Sequence, residues 1–369
     1  MKPLSGLRIL EFDGLGPVTF AGMVLADLGA DVLRLTRSAS AGAPVFTDVG
    51  GEILHRGRAA VAVDLKSPED AARVHDLVAT ADALIEGFRP GVMERLGLGP
   101  EACAARNPRL VYGRITGWGQ DGPMARQVGH DLNYIALSGA LSMMGEPDRP
   151  PRPPLNVVGD YGGGAMLLVT GVLAGLLEAK TTGRGRVVDA AMTDGSALLT
   201  SLFHALAARG LWNEARGTNL LDGGAPFYRC YACRDGRFVA VGALEPQFYA
   251  ALLEGLDIPA GEAPQFDLSG WGRLHERFAA VFATRDRDDW AARFAGSDAC
   301  VTPVLTLAEA PRHPHNAARR TFATADLVQP APAPRFGGDS AAPGSQPAPL
   351  SLDEALVRWT QATAASDAS

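Results

Sequence analysis

The chain has 369 residues, with 34 basic and 41 acidic side chains and a formal net charge of -7. A content of 47% hydrophobic and 20% charged residues can bury a full core, so the composition excludes a wholly disordered protein. The mild acidity argues against a protein that holds nucleic acid through phosphate charge, although local arginines could still bind a small acidic ligand.

Short apolar segments alternate with helical patterns over the first ~120 residues. The segments predict strands at 7–12, 32–35, 60–65, 83–86 and 110–115. Helices are predicted between them, at 18–28, 68–79 and 92–96. Repeated β-α-β units imply a parallel sheet with right-handed crossovers, so this part is predicted to be a doubly wound, Rossmann-like α/β domain.

The middle of the chain is more helical. Its patterns predict helices over 131–144, 161–179 and 195–208, with a strand at 187–192. The longest apolar run, Ala165 to Ala179, has about 15 residues, fewer than the roughly 20 that span a bilayer. The first residues contain no apolar signal segment. We therefore expect a soluble, cytoplasmic protein without membrane insertion.

The pattern changes again at Gly224. A hairpin is predicted over 227–233 and 238–241, with helices at 247–256 and 275–283, which indicates a smaller α+β domain. The proline- and alanine-rich stretch 329–349 leads to Ser351-Leu-Asp-Glu354, which resembles a capping box that begins a last helix. The expected organisation is a large domain at 1–188, a linker helix region at 189–223 and a small domain at 224–324. The tail at 325–369 is expected to return to the large domain.

Four cysteines are present, at Cys103, Cys230, Cys233 and Cys300, too few for a disulfide framework in a chain of this size. Cys230 and Cys233 have the spacing of a zinc or redox motif. No second such pair and no matching histidine pair accompanies them, so we predict structural cysteines and no metal site.

The turn after the first predicted strand, Gly14-Leu-Gly16-Pro17, lies where a dinucleotide fingerprint would, but the third glycine is replaced by Thr19. The second strand ends in Arg34 and Arg37, where an NAD site needs an acidic residue, so NAD is disfavoured. Arginines there suit a phosphorylated adenosine ligand. Further arginines near predicted strand ends are either surface charges or phosphate ligands: Arg56, Arg58 and Arg89.

His130, in Gly129-His130-Asp131, stands at the start of a predicted helix. The positive end of a helix dipole disfavours the imidazolium, so His130 would be neutral and available as a base. On spacing alone, a capping or core histidine is the alternative.

Asp160 falls at the N-cap of the predicted helix 161–179 and is followed by Gly162-Gly163-Gly164. A helix cap is one interpretation. Three glycines are costly in a helix and unnecessary for capping, and they would let a ligand approach the backbone closely. A catalytic carboxylate, as acid, base or nucleophile, is the other interpretation. Glu245, which precedes a proline, is by itself interpreted as a surface acid.

Several segments together resemble the family III CoA-transferase superfamily, in the same order and over most of the chain. They are Pro3-Leu-Ser-Gly-Leu-Arg-Ile-Leu-Glu, Phe20-Ala-Gly-Met-Val-Leu-Ala-Asp-Leu-Gly-Ala-Asp-Val, Asp64-Leu-Lys-Ser-Pro, Gly129-His130-Asp131-Leu-Asn-Tyr, Pro154-Leu-Asn156-Val-Val-Gly-Asp160-Tyr-Gly-Gly-Gly, Leu221-Asp-Gly-Gly-Ala-Pro-Phe-Tyr, Glu245-Pro-Gln-Phe-Tyr and Ser297-Asp-Ala-Cys-Val-Thr-Pro-Val.

The resemblance implies that His130 and Asp160 are two acid/base residues, with Glu245 orienting His130 and Asn156 close to Asp160. It also implies an acyl-CoA substrate, a CoA site in the α/β domain, and an interlocked homodimer with each active site between large and small domains of different subunits. The expected CoA-contacting residues are Arg37, Arg89, Arg34, Tyr134 and Gly14.

Two chemistries are known in the superfamily. Its transferases use an aspartate at the Asp160 position as a nucleophile, whereas its racemase branch pairs that aspartate with the Gly-His-Asp motif, which the transferases usually lack. His130 therefore favours interconversion of (R)- and (S)-2-methylacyl-CoA thioesters over CoA transfer. Backbone N–H groups at a helix start, such as that of Asp131, could bind the enolate oxygen. No metal or redox cofactor is expected, since CoA is part of the substrate.

Overall fold

The computed structural model describes residues 2–37, 50–324, 327–337 and 342–366, with only the backbone for the last five of these. They fall into two compact units, the first formed by 1–140, 154–200 and 315–369 and the second by 141–153 and 201–314. These boundaries differ from the expected ones, because 141–153 join the second unit and 315–324 the first.

The first unit is built on a parallel sheet of six strands. These are β1 (Arg8–Phe12), β2 (Asp31–Arg37), β3 (Ala59–Val63), β4 (Ala83–Glu86), β5 (Val111–Thr116) and β6 (Val187–Ala191). The strand order is β3-β2-β1-β4-β5-β6, and every neighbouring pair is parallel. The order changes direction between β1 and β4, as in doubly wound sheets, so the predicted Rossmann-like α/β architecture is confirmed.

The helices connect and cover the strands. They are α1 (Pro17–Asp27), α2 (Gly51–Leu54), α3 (Pro68–Thr80), α4 (Val92–Arg95), α5 (Pro100–Arg106), α6 (Asp131–Leu137), α7 (Met166–Thr182), α8 (Met192–Leu199), α9 (Ser201–Ala208), α10 (Pro246–Gly255), α11 (Trp271–Phe282), α12 (Arg287–Arg293), α13 (Pro314–Arg319) and α14 (Leu352–Ser366). A π-helix, Val157–Ala165, runs directly into α7.

The sheet has an apolar core on each face because its strands are buried on both sides. On β1, Ile9 belongs to the core shared with α1 and α7, whereas Leu10 belongs to the core shared with α3 and α14. The last helix returns to this sheet: Trp359 is fully buried and its Nε1 donates to Asp31 Oδ2 at 3.0 Å. Ser351 and Glu354 form the predicted capping box at its start.

The second unit has an antiparallel sheet of β7 (Tyr228–Ala232), β8 (Phe238–Gly242) and β9 (Val301–Pro303), in that order. Its core is aromatic, and includes Phe227, Tyr231, Phe278, Phe282 and Trp290. The hairpin was predicted, but β9 was not, because three residues that end in proline give no strand pattern. In the first unit, β10 (Phe322–Thr324) and β11 (Val328–Pro330) form a separate antiparallel pair.

Two predicted helices have different limits in the structure. The helix predicted over 131–144 ends as α6 at Leu137, because Gly139 adopts a left-handed conformation with φ of 86°. The helix predicted over 161–179 is instead a continuous helical segment, Val157–Thr182, of 26 residues, within which an 18-residue window has a mean hydropathy of 1.6. By length and composition alone it could cross a membrane, which corrects the argument from a 15-residue run. Leu168, Val169 and Val172 on this segment are buried in the core against the sheet, and the absence of membrane insertion stays a prediction.

A buried ion pair lies between β1 and the start of β3. Glu11 and Arg58 are both fully buried and contact each other through Oε2 and Nη1. The middle of α1 crosses this pair at Gly22, where a Cβ atom would clash with Glu11 and Arg58. The ion pair therefore requires glycine at this position of the helix.

We predict that Gly22→Ala lowers the free energy of unfolding by about 1–3 kcal/mol, because overpacking outweighs the helix propensity of alanine. The matched control is Gly272→Ala on α11, where no described heavy atom lies within 4 Å of an added Cβ. That change should leave stability unchanged or raise it slightly. Urea unfolding of both variants measures the difference, and equal stabilisation by both would contradict the packing argument.

Candidate active site

A cavity of about 780 Å³ lies in the first unit, at the carboxyl ends of β1, β2, β4 and β5. Loops that follow these strands supply much of its wall, including Asp13–Val18, Gly87–Pro90 and Ile115–Trp118. Ligands of doubly wound sheets bind at this edge, beside the point where the strand order changes direction. The cavity is therefore where the fold itself predicts a site.

His130 lines this cavity from the N-cap position of α6. The side-chain oxygen of Asn133 accepts a hydrogen bond from the His130 N–H at 3.1 Å, which fixes the start of the helix. Tyr134 holds the preceding loop, because its hydroxyl donates to the Gly129 carbonyl and its ring packs edge-to-face on Trp118. The imidazole is thus presented to the cavity from a braced helix start.

The tight contacts of Tyr134 explain two glycines whose role was not recognised in the sequence. A Cβ atom at Gly117 or at Gly129 would collide with the Tyr134 ring. Tyr134 lines the cavity as well, but since its hydroxyl is already engaged, its predicted contact with CoA stays a prediction.

Asp160 lines the same cavity, and it is not a helix cap, which was one of its two interpretations from the sequence. It lies inside the π-helix, whose N-cap is Asn156. π-Helical turns are rare and frequently occur at functional sites. The apolar periodicity of the segment predicted a helix here but not its wider turn.

Two of the glycines after Asp160 are required by helix packing, which was not predicted, whereas the predicted approach of a ligand to this backbone stays a prediction. A Cβ atom on Gly163 would lie 2.7 Å from Ser196 N, and one on Gly164 would lie 2.9 Å from Met192 Cγ. Ser196 and Met192 are both on α8. On the facing side, a Cβ on Gly195 would clash with the Gly163 carbonyl. The backbones of the π-helix and α8 therefore touch directly, and this contact sets where Asp160 lies.

The half-buried Asp160 carboxylate is surrounded by polar groups. Asn156 Nδ2 donates a hydrogen bond to Asp160 Oδ2 at 3.1 Å. The backbone N–H of Asp160 donates to Asp131 Oδ2 at 2.7 Å. Burial raises the pKa of Asp160 above its usual value. The Asp131 carboxylate adds to this rise, whereas the Asn156 hydrogen bond and His130 oppose it. Asn156 is thus adjacent to Asp160, as the resemblance implied.

The arginines predicted near phosphates separate into two groups. Arg37 and Arg89 are exposed and line the cavity, as does Gly14. Arg34 does not line it: this side chain is buried, and its Nη1 donates to Asp13 Oδ1 at 2.9 Å. Asp13 does line the cavity, so Arg34 supports the wall from behind and does not face a ligand.

Arg56 and Arg58, considered as phosphate ligands from their positions, are also buried. Arg56 Nη2 contacts Asp27 Oδ2 at 2.6 Å, and Arg58 pairs with Glu11. Both guanidinium groups are therefore structural, and neither faces the cavity.

The remaining predicted residues lie elsewhere. Glu245 is an exposed residue in the second unit, at the N-cap of α10, so its predicted contact with His130 stays a prediction. Cys230 is exposed and Cys233 buried, and both are free thiols. Within the described ranges, no group of three or more His, Cys, Asp or Glu side chains is arranged to hold a metal ion.

The sequence matches the model of CoA-transferase family III over residues 4–352. The chain belongs to this family. It is 45% identical over 346 residues to the α-methylacyl-CoA racemase of Mus musculus, which covers 93% of this chain and 89% of the relative. It is 45% identical over 334 residues to the α-methylacyl-CoA racemase of Homo sapiens, covering 90% and 86%.

Among solved structures, a CaiB/BaiF family protein from Brucella suis shares the fold of this family III chain. The TM-score is 0.79 at 24% identity, with 97% of this chain and 98% of the other covered. The family resemblance seen in the motifs is therefore confirmed by the family model, and the fold is that of the solved CaiB/BaiF family protein.

The raised pKa of Asp160 makes a prediction about stability. Because its folded pKa lies above the ordinary 3.8, ionisation of Asp160 opposes folding at pH values above that raised pKa. Asp160→Asn should therefore stabilise the protein at pH 7, and the gain should shrink as the pH falls and Asp160 becomes protonated in the wild type. Urea unfolding as a function of pH measures this difference.

Asp267→Asn is a control that should change the stability at pH 7 in the opposite direction. Hydrogen bonds from Ser269 hold the pKa of Asp267 below its usual value, so the loss of its charge should destabilise the fold at pH 7. If Asp160→Asn destabilises the protein at neutral pH, the ionised carboxylate is stabilised by its surroundings, and the pKa of Asp160 is not raised.

Proposed function

We propose that this protein is a racemase that interconverts (R)- and (S)-2-methylacyl-CoA thioesters. The observation that carries the proposal is that His130 and Asp160 line one cavity in a chain of family III. The 45% identity to mouse and human proteins named α-methylacyl-CoA racemase supports the same reaction.

The chemistry requires a base on each face of the α-carbon. Neutral His130 can take the α-proton and become imidazolium, while the Asp160 carboxyl group returns a proton to the opposite face; in the reverse direction the roles exchange. A raised pKa suits Asp160 to this task, because it brings the acid form closer to neutral pH and makes the carboxylate a stronger base. The N–H group of Asp131, directly after His130, is the proposed donor to the developing enolate oxygen, although the Asp131 residue itself is not among those that line the cavity.

The proposed steps use no metal or redox cofactor, and CoA enters as part of the substrate. CoA transfer is the competing reaction, in which the Asp160 carboxylate would attack the thioester carbonyl, break its C–S bond with release of the CoA thiolate, and form an acyl anhydride. His130 has no part in such an attack, whereas racemisation uses it as one of the two bases. The position of His130 at the cavity therefore favours racemisation.

We further propose an interlocked homodimer in which Glu245 of one subunit orients His130 of the other. Large apolar side chains exposed in the single chain support an interface. In the first unit, Leu177 on α7 is 68% exposed and Leu199 on α8 is 51% exposed. In the second unit, the apolar helix α9 has no buried residue. Apolar surface of this kind marks protein–protein contacts.

Single-base variants test the two-base mechanism. In deuterated, chelator-treated buffer without an acyl acceptor, His130→Ala and Asp160→Asn should each slow racemisation on the order of 100- to 10,000-fold. Each variant keeps the base on one face, so each should still exchange the α-proton of one epimer, and the epimer should differ between them. NMR of the recovered thioesters measures both quantities.

The control for these variants is His75→Ala, on α3 and outside the cavity, which should racemise and exchange both epimers like the wild type. Turnover that appears only when a free carboxylate acceptor is supplied would refute the racemase proposal and support CoA transfer.

Arginine variants test the CoA site. Arg89→Ala should raise KM for acyl-CoA by about tenfold with a smaller change in kcat, because a charge-assisted contact to phosphate is lost. Added salt should reduce the difference. The matched control is Arg95→Ala, an exposed arginine on α4 that does not line the cavity. An unchanged KM in Arg89→Ala would show that CoA phosphates lie elsewhere.

A further inference from the structure

Asp131 connects the two helices that carry the proposed acid and base. It is the first residue of α6, directly after His130, and only 6% of it is exposed. Its Oδ2 accepts a hydrogen bond from the Asp160 N–H at 2.7 Å. The start of α6 and the π-helix are therefore joined through one side chain, with a proposed acid/base residue at each end of the link.

The surroundings of Asp131 show that this contact is closely fitted. A Cβ atom on Gly159 would lie 2.7 Å from Asp131 Oδ2, so only glycine at that position lets the carboxylate reach the π-helix backbone. The other oxygen, Oδ1, is buried and has no hydrogen-bond partner in the described part of the chain. A buried, half-satisfied carboxylate costs free energy, and an asparagine could make the same single hydrogen bond without a charge.

We propose that Asp131 is a positioning residue for racemisation: its carboxylate fixes the spacing between His130 and Asp160 and places a negative charge beside the Asp160 carboxyl group. This inference rests on the proposed function, and it assigns to the Asp131 side chain a role separate from that of its N–H group.

The electrostatic part of the proposal depends on the groups around Asp160. Burial and the Asp131 carboxylate raise its pKa, while Asn156 and His130 lower it. Tyr134 also faces it, and the pKa of that phenol is raised by its own burial and by Asp160. Of the nearby ionisable groups, Asp131 is the one that raises the pKa of Asp160 by its charge. Removal of the Asp131 charge should therefore lower the pKa of Asp160.

Two substitutions separate the geometric role from the electrostatic role. Asp131→Asn keeps an oxygen that can accept the Asp160 N–H bond but removes the charge. We expect its kcat to stay within about tenfold of the wild type, while the limb of the kcat/KM profile that reports Asp160 moves to lower pH. Asp131→Ala loses both functions, and its kcat should fall on the order of 100-fold with little change in KM, because misplacement of catalytic groups has effects of that size.

The matched control is Asp189→Asn, which removes another carboxylate that accepts a backbone N–H bond, from Gln120, outside the cavity. Its pH profile should be that of the wild type. If Asp131→Ala does not fold, Asp131→Ser takes its place. An unshifted profile in Asp131→Asn, or a wild-type kcat in Asp131→Ala or Asp131→Ser, would overturn the proposal.

A second measurement needs no enzymatic activity. The stability gain from Asp160→Asn at pH 7 should be smaller in the Asp131→Asn background than in the wild type, because the repulsion between the two carboxylates is already removed. Equal gains in both backgrounds would overturn the coupling between Asp131 and Asp160. If the gains differ but the wild type racemises neither epimer, the proposed function is refuted while the electrostatic role of Asp131 is supported. A failure of the proposed function can therefore be distinguished from a failure of the role proposed for Asp131.

Discussion

The direct contact between the π-helix and α8 is the constraint on which the site depends. Gly163 and Gly195 lack side chains where these two helices meet, so their backbones approach more closely than any larger residue would allow. The wide helical turn that results places Asp160 at the cavity wall, where an ordinary cap would have left it at the helix end. Glycines that lower helix propensity are retained because the packing requires them.

This packing also explains the electrostatics of the site. Since the π-helix is drawn against the core, the Asp160 carboxylate is half-buried, and desolvation raises its pKa. The same approach brings the π-helix backbone within reach of Asp131 at the start of α6. One geometric feature therefore sets both the position and the proton affinity of the carboxylate, while Tyr134 holds the loop that precedes His130.

The parts of the molecule that the sequence predicted are those that depend on local pattern. Alternating apolar segments predicted the strands of the parallel sheet, and the glycine-flanked motifs singled out His130 and Asp160. The π-helix could not be predicted, because its turn depends on the distant glycine at 195. The pairing of Arg34 with Asp13 could not be predicted either, since it links residues 21 positions apart, one on β2 and the other directly after the end of β1.

The arginines show why composition is a poor guide to a binding site. Three arginines are buried because each forms an ion pair with a buried or half-buried carboxylate: Arg34, Arg56 and Arg58. The partner carboxylate neutralises the charge of each arginine, so these side chains do not attract an anion. Among the described residues, Arg37 and Arg89 form no ion pair with an acidic side chain, and both line the cavity. A net charge of -7 is therefore compatible with a locally basic entrance, since the field at a cavity depends on the charges that stay unpaired there.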